Sequence, residues 1–217
     1  MVAEIKSLKS KKKRTESSRR WLIRQLNDPF VQKAAKDGYR SRAAYKLIEV
    51  QEKFKLLKSG SLVVDLGCTP GGWLQVSRKY VGKAGKVIGL DINFMEPIPG
   101  AEFIQADFLT EEGLLKLQDV LDGRKCDIVL SDMAAPSCGM PKVDHLRIMN
   151  LLEIAYEFAL NHLNEGGCFV AKVLKGGTEQ ELLKDMKKSF KIVEHFKPKS
   201  SRQDSAEQYV VAMDFRG

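Results

Sequence analysis

The sequence predicts an α/β domain whose mainly parallel sheet carries helices on both faces. Three observations lead there: seven short apolar runs end in acids or small residues, segments of helical period separate most of them, and no internal repeat or low-complexity linker divides the chain. A length of 217 residues holds one well-buried domain of this kind with short appendages.

In chain order, residues 1–18 are rich in Lys and Ser without an apolar period, and are expected to form a flexible basic tail. A single domain then spans 19–217, opening with a helical extension over about 19–57. Within that extension Ala43, Leu47, Val50 and Phe54 share one helical face, with Arg40, Arg42 and Lys46 near its start, so one or two helices precede the sheet. Strands are expected over 61–67, 86–91, 102–107, 126–132, 167–174, 191–196 and 207–215. A long helix is expected over 143–163, and Thr178 with Glu181 forms the capping-box signature of another.

Composition excludes several classes. Hydrophobic content of 43% with 29% charge is ordinary for a globular protein, no apolar stretch approaches a membrane span, and no secretory signal opens the chain. Cys68, Cys126, Cys138 and Cys168 include no C-x-x-C pair, and His145, His162 and His195 are equally dispersed. No metal site and no disulfide framework are therefore expected, which suits a reducing cytoplasm. Charge is more telling: residues 1–46 hold 14 Lys or Arg against 4 Asp or Glu, and the remainder hold 22 against 24. The whole basic excess lies in the N-terminal fifth, the distribution of an arm that seeks polyphosphate.

Open parallel sheets bind ligands beyond the carboxyl ends of their strands, which singles out Asp65, Asp91, Asp107 and Asp132. The turn "VVDLGCTPGGW" (63–73) lacks G-x-G-x-x-G and lacks a Gly-Lys-Ser/Thr ending, so neither phosphate motif is met. Pro70, expected at the first helical position, removes an amide donor, and Asp65 repels a polyphosphate while attracting an ammonium group. A ligand with an ammonium, a ribose and a base but no phosphate is S-adenosylmethionine. Gly67, Gly71 and Gly72 then serve close backbone approach, Asp91 receives the ribose diol, and Asp107 accepts from the adenine amine, with Phe108 among the apolar groups against the ring.

Lys172 lies inside "CFVAKVL", a run that otherwise reads as a buried central strand, where an unpaired lysine costs several kcal/mol. It needs carboxylate partners, and Asp132 and Glu207 are the natural ones.

The segments "GYRSRAAYKL", "VVDLGCTPGGW", "LSDMA", "FVAKVL" and "KPKSSRQDSAEQYVVA" resemble the FtsJ/RrmJ (RlmE) family of ribose 2′-O-methyltransferases, from about Trp21 to Phe215. The resemblance implies a Rossmann-like methyltransferase domain with a mixed, mainly parallel seven-stranded sheet. It also implies a catalytic tetrad of Lys46, Asp132, Lys172 and Glu207, and donor contacts at Gly71, Trp73, Asp91, Asp107 and Asp132. The implied reaction is S-adenosylmethionine-dependent methylation of a uridine ribose in the A loop of bacterial large-subunit ribosomal RNA, by a cytoplasmic monomer acting on the assembled or nearly assembled large subunit. Transfer RNA as substrate, and a non-catalytic RNA-binding assembly factor, are the competing readings. In that setting Arg19, Arg20, Arg24, Arg40 and Arg42 are expected to grip RNA phosphates. Lys172 is either the base, if burial and Lys46 lower its pKa, or a charged stabiliser of the developing alkoxide. One departure stands out: "DMAAPS" replaces the family's Asp-Met-Ala-Pro-Asn, moving the proline to Pro136.

Overall fold

The computed structural model describes residues 15–135, 138–175 and 180–217, apart from the side chains of Ser17, Arg20, Trp21 and Pro141. The tail through residue 14, the Arg20 side chain, Pro136 and Thr178 therefore lie outside the described residues.

Three helices precede the sheet, where one or two were expected: α1 (Glu16–Leu26), α2 (Pro29–Asp37) and α3 (Ala44–Phe54). The first starts inside the segment expected to be flexible. The Thr15 hydroxyl accepts from the Ser18 amide and Glu16 lies in the first turn, both of which favour a helix N-terminus. The break before α2 has a local cause as well, since Asp28 accepts from the Phe30 and Val31 amides and Pro29 occupies the first turn. Gly38, at φ 78°, closes it in the left-handed region that glycine tolerates.

The sheet holds β1 (Leu62–Leu66), β2 (Lys86–Asp91), β3 (Glu102–Gln105), β4 (Cys126–Ser131), β5 (Leu163–Leu174), β6 (Phe190–Phe196) and β7 (Glu207–Phe215), in the order β3-β2-β1-β4-β5-β7-β6. β7 is antiparallel to both its neighbours, and the other pairs are parallel. Helices α4 (Gly72–Val81), α5 (Glu111–Leu121), α6 (Pro141–His162) and α7 (Gln180–Ser189) connect the strands. β5 begins four residues earlier than its apolar run suggests: the pairing shifts between Cys126 and Ile128, and the shift takes up "NEGG" with Gly166 at φ 77°.

Alternation along the strands divides the core. Val64, Leu66, Ile88, Leu90, Val129 and Phe169 pack on one face with Tyr156 and Phe158 of α6. Val63, Val87, Ile128, Leu130 and Val170 pack on the other with Leu47 and Val50 of α3 and Trp73 and Leu74 of α4. Among the described residues no helix is long and apolar enough to cross a membrane.

Candidate active site

The strand order reverses between β1 and β4, and a cavity opens outside their carboxyl ends. It encloses about 700 Å³ and is lined by Gly67, Thr69, Asp91, Asp107, Asp132 and Met133, with Ile92, Leu109 and Leu146 among its apolar walls. Gly67, at φ 74°, lies so close to Met133 that a Cβ there would sit 2.5 Å from Met133 Cγ. Asp91 is nearly buried, and its carboxylate is fixed by the Thr69 amide at 2.9 Å and the Asn93 amide at 2.8 Å. Asp107 stands at the exposed rim, where its Oδ1 accepts from the Leu109 amide at 2.9 Å. Phe108 lines the cavity while its ring packs edge-on against Phe158, 5.7 Å away.

The glycine turn divides in two. Gly67 and Thr69 face the cavity, whereas Gly71, Gly72 and Trp73 are absent from its walls. Gly71 caps α4 at φ 104°, where a Cβ would meet Ile98 Cδ1 at 2.5 Å, and a Cβ on Gly72 would meet Ser41 Oγ at 2.5 Å. Trp73 Nε1 donates to the Ala43 carbonyl at 2.8 Å, and its ring lies 5.5 Å from that of Tyr209. Gly72 and Trp73 thus face the segment leading into α3, and Gly71 faces the loop between β2 and β3. Pro70 precedes the Gly71 cap, following a cis Thr69–Pro70 peptide, and so does not take the first helical position expected of it.

Asp65 is fully buried at the end of β1, and neither of its oxygens has a hydrogen-bond partner. Burial, and then the charges of Asp132 and Asp91, push its pKa well above the ordinary carboxylate value. The sign follows. A carboxyl whose folded pKa is raised binds its proton more tightly in the native state, so its contribution to stability is full below the unfolded value and is lost as pH rises toward the folded one. Asp65→Asn is therefore expected to gain stability relative to wild type as pH rises from about 4 to 7, measured by chemical denaturation. A constant difference across that range would contradict the assignment.

The chain places Lys46, Asp132, Lys172 and Glu207 together. Lys172 Nζ lies 2.9 Å from Asp132 Oδ1, 2.8 Å from the Asp132 carbonyl and 3.9 Å from Glu207 Oε2. Lys46 Nζ lies 2.5 Å from Glu207 Oε1. All four side chains are at most 18% exposed. Burial alone raises the pKa of Asp132, but the charges of Lys172 and Lys46, with hydrogen bonds from Lys172 and Tyr209, hold it below the ordinary value.

Sequence reasoning missed Tyr209. It stands directly opposite Lys172 in the antiparallel β5–β7 pair, and its hydroxyl donates to Asp132 Oδ1 at 2.7 Å while lying 3.4 Å from Glu207 Oε1. Burial, with the neighbouring carboxylates, raises its pKa well above the ordinary phenol value, so it serves as a donor. The available signal was its spacing, two residues past Glu207 and hence on the same strand face. Ser201, whose hydroxyl donates to Glu207 Oε1 at 3.3 Å, was missed too. It comes from a loop that no local pattern ties to the site.

Of the arginines expected to grip RNA, Arg19 and Arg24 are exposed on α1, with Arg24 3.6 Å from Asp204. Arg40 donates to the carbonyls of Glu96, Pro97 and Pro70. Arg42 is turned inward and held by the Asp28 carboxylate and the Ser200 carbonyl. The last two are thus engaged in holding the extension to the domain. Among the described residues no group of three His, Cys, Asp or Glu could hold a metal ion.

This strand order, with one antiparallel strand and an acid-lined crevice at its switch point, is that of a Rossmann-like methyltransferase. The model of the FtsJ-like methyltransferase family matches residues 39–215, and the chain belongs to that family. Similar proteins include the ribosomal RNA large subunit methyltransferase E of Parvibaculum lavamentivorans, 53% identical over 97% of this chain and 86% of that protein. The protein of the same name from Novosphingobium aromaticivorans is 55% identical over 97% of this chain and 94% of its own length. A solved structure from Plasmodium falciparum, described provisionally as a ribosomal RNA methyltransferase, superposes with a TM-score of 0.73 at 36% identity, covering 82% of this chain and all of that one.

Proposed function

We propose that the protein transfers a methyl group from S-adenosylmethionine to the 2′-hydroxyl of a uridine ribose in the A loop of large-subunit ribosomal RNA. The observation that carries this reading is the Lys172–Asp132–Glu207–Lys46 cluster adjoining the cavity through Asp132, which lines both. The names of the relatives, ribosomal RNA large subunit methyltransferase E, support the RNA class.

The cavity residues fit the donor. Asp91 is oriented by two amides to meet a ribose diol, and Asp107 stands at the rim for the adenine amine. Bound there, S-adenosylmethionine supplies a methyl group on a sulfonium, a centre that needs mainly in-line alignment with its nucleophile. A ribose hydroxyl is a weak nucleophile until its proton is shared or removed. Lys172 Nζ is the group assigned to that hydroxyl, held in place by Asp132 and Glu207, with Lys46 and Tyr209 fixing the two carboxylates. Arg19 and Arg24, with the rest of the basic arm, are assigned to RNA phosphates on the approach.

Incubation with labelled donor and either large ribosomal subunits or transfer RNA tests the substrate. Label in the large subunit, mapped to one ribose, is expected. Label in transfer RNA alone would overturn the ribosomal assignment, and none in either would overturn the enzymatic one.

A further inference from the structure

Arg40 stands in the segment that joins α2 to α3, and its guanidinium is taken up by carbonyls. Nη1 donates to the Glu96 carbonyl at 2.5 Å and the Pro70 carbonyl at 3.4 Å, and Nη2 donates to the Pro97 carbonyl at 2.8 Å. The three acceptors belong to two separate loops, the glycine turn after β1 and the loop of residues 92–101 between β2 and β3. The Arg40 backbone is held as well: Gln75 of α4 accepts from its amide at 2.8 Å and donates to the Gly38 carbonyl at 2.9 Å.

The same two loops supply one side of the cavity, through Gly67 and Thr69 from the first and Ile92 and Asn93 from the second. Thr69 stitches them at the cavity, its amide donating to Asp91 Oδ2 and its hydroxyl to the Asn93 carbonyl at 3.1 Å. Arg40, absent from the cavity walls, joins them a second time from outside. The second loop has reason to need an outside clamp. Pro97 and Pro99 carry no amide donor, which leaves fewer backbone partners for its carbonyls. A planar guanidinium with five donors spans three carbonyls in a fixed geometry that a single ammonium does not reproduce. Trp73 pins the same segment at Ala43, just ahead of α3 and Lys46, so the clamp also ties the helix bearing Lys46 to the loops that shape the cavity.

We propose that Arg40 is a positioning residue for the methyl donor: it holds the glycine turn and the 92–101 loop in the arrangement that forms the donor pocket, and does not grip RNA. This rests on the functional reading above. The test uses the full chain and S-adenosylmethionine itself. Arg40 is exposed, so Arg40→Gln opens no buried cavity and should fold. This variant is expected to bind S-adenosylmethionine about fivefold more weakly by calorimetry and to raise its KM by the same factor, with kcat at saturating donor within about twofold of wild type. Arg40→Lys, which keeps the charge without the planar fork, is expected to fall between the two. The slope of RNA affinity against salt, titrated with a fragment of large-subunit ribosomal RNA, is expected to stay unchanged in both variants. Donor affinity unaltered in Arg40→Gln overturns the proposal, and a lowered salt slope beside it returns Arg40 to RNA phosphates. A fall in kcat and melting temperature with the donor KM unchanged marks a merely structural role and also overturns it. Should Arg40→Gln fail to fold, Arg40→Lys carries the test, and donor affinity equal to wild type in it decides against the proposal. Wild type that binds no S-adenosylmethionine refutes the functional reading; wild type that binds it beside an Arg40→Gln protein of equal affinity refutes this inference alone.

Discussion

Lys172→Ala is expected to slow methyl transfer by at least about a thousandfold while leaving donor affinity within about twofold of wild type. The split follows from position: Lys172 is buried in β5 beside the cavity and is absent from its walls, so its loss removes the group proposed to act on the ribose hydroxyl without altering the proposed donor pocket. Breaking a buried ion pair usually destabilises because a charge is left alone. Here each carboxylate keeps a second partner, Asp132 in the Tyr209 hydroxyl at 2.7 Å and Glu207 in Lys46 at 2.5 Å, so the variant should fold. Single-turnover kinetics, with calorimetry for donor binding, check both halves. An active Lys172→Ala protein sinks the tetrad assignment. Lys172→Arg then separates the two roles that the sequence leaves open, because a guanidinium keeps its charge and its proton. Restored turnover assigns charge stabilisation, and persistent loss with donor bound assigns proton transfer.

Asp132→Asn is expected to differ from Lys172→Ala in losing both readouts, with donor affinity down about tenfold and turnover again down about a thousandfold. Asp132 is shared: it lines the cavity, and its carboxylate and carbonyl both receive Lys172. The neutral amide keeps the shape and the carbonyl contact but leaves Glu207, at 3.9 Å and already paired with Lys46, as the carboxylate facing Lys172. The pH dependence should oppose that of Asp65. The folded pKa of Asp132 is lowered, so its contribution to stability is present above the unfolded value and is lost as pH falls through the folded one. The stability advantage of wild type over Asp132→Asn should accordingly shrink on acidification, and a constant difference would place the carboxylate outside the network.

The fold was legible because its signals are local. The runs "KVIGLD" and "EQYVVAMDF" coincide with β2 and β7 to the residue, since an apolar period bounded by turn formers needs no distant information. The start of α1 was local too, in Thr15 and Glu16, but the surrounding lysines concealed it. The β5 boundary was not local, because a pairing shift against β4 decides it.

The sequence by itself determined the element order, the acids at the strand ends and the anomaly of a lysine in an apolar strand, each set by neighbours within a few residues. Only the tertiary structure decided which way the glycine turn faces: Gly67 and Thr69 onto the cavity, Gly71 onto the loop between β2 and β3, and Gly72 and Trp73 onto the segment leading into α3. It alone joined Tyr209 to Asp132 and set Arg202 on Asp28, residues 174 positions apart. The physical reason is the same throughout. Strand register and helix docking fix which buried donors meet which acceptors, and those partners are chosen by packing across the sheet, where no local period in the chain records them.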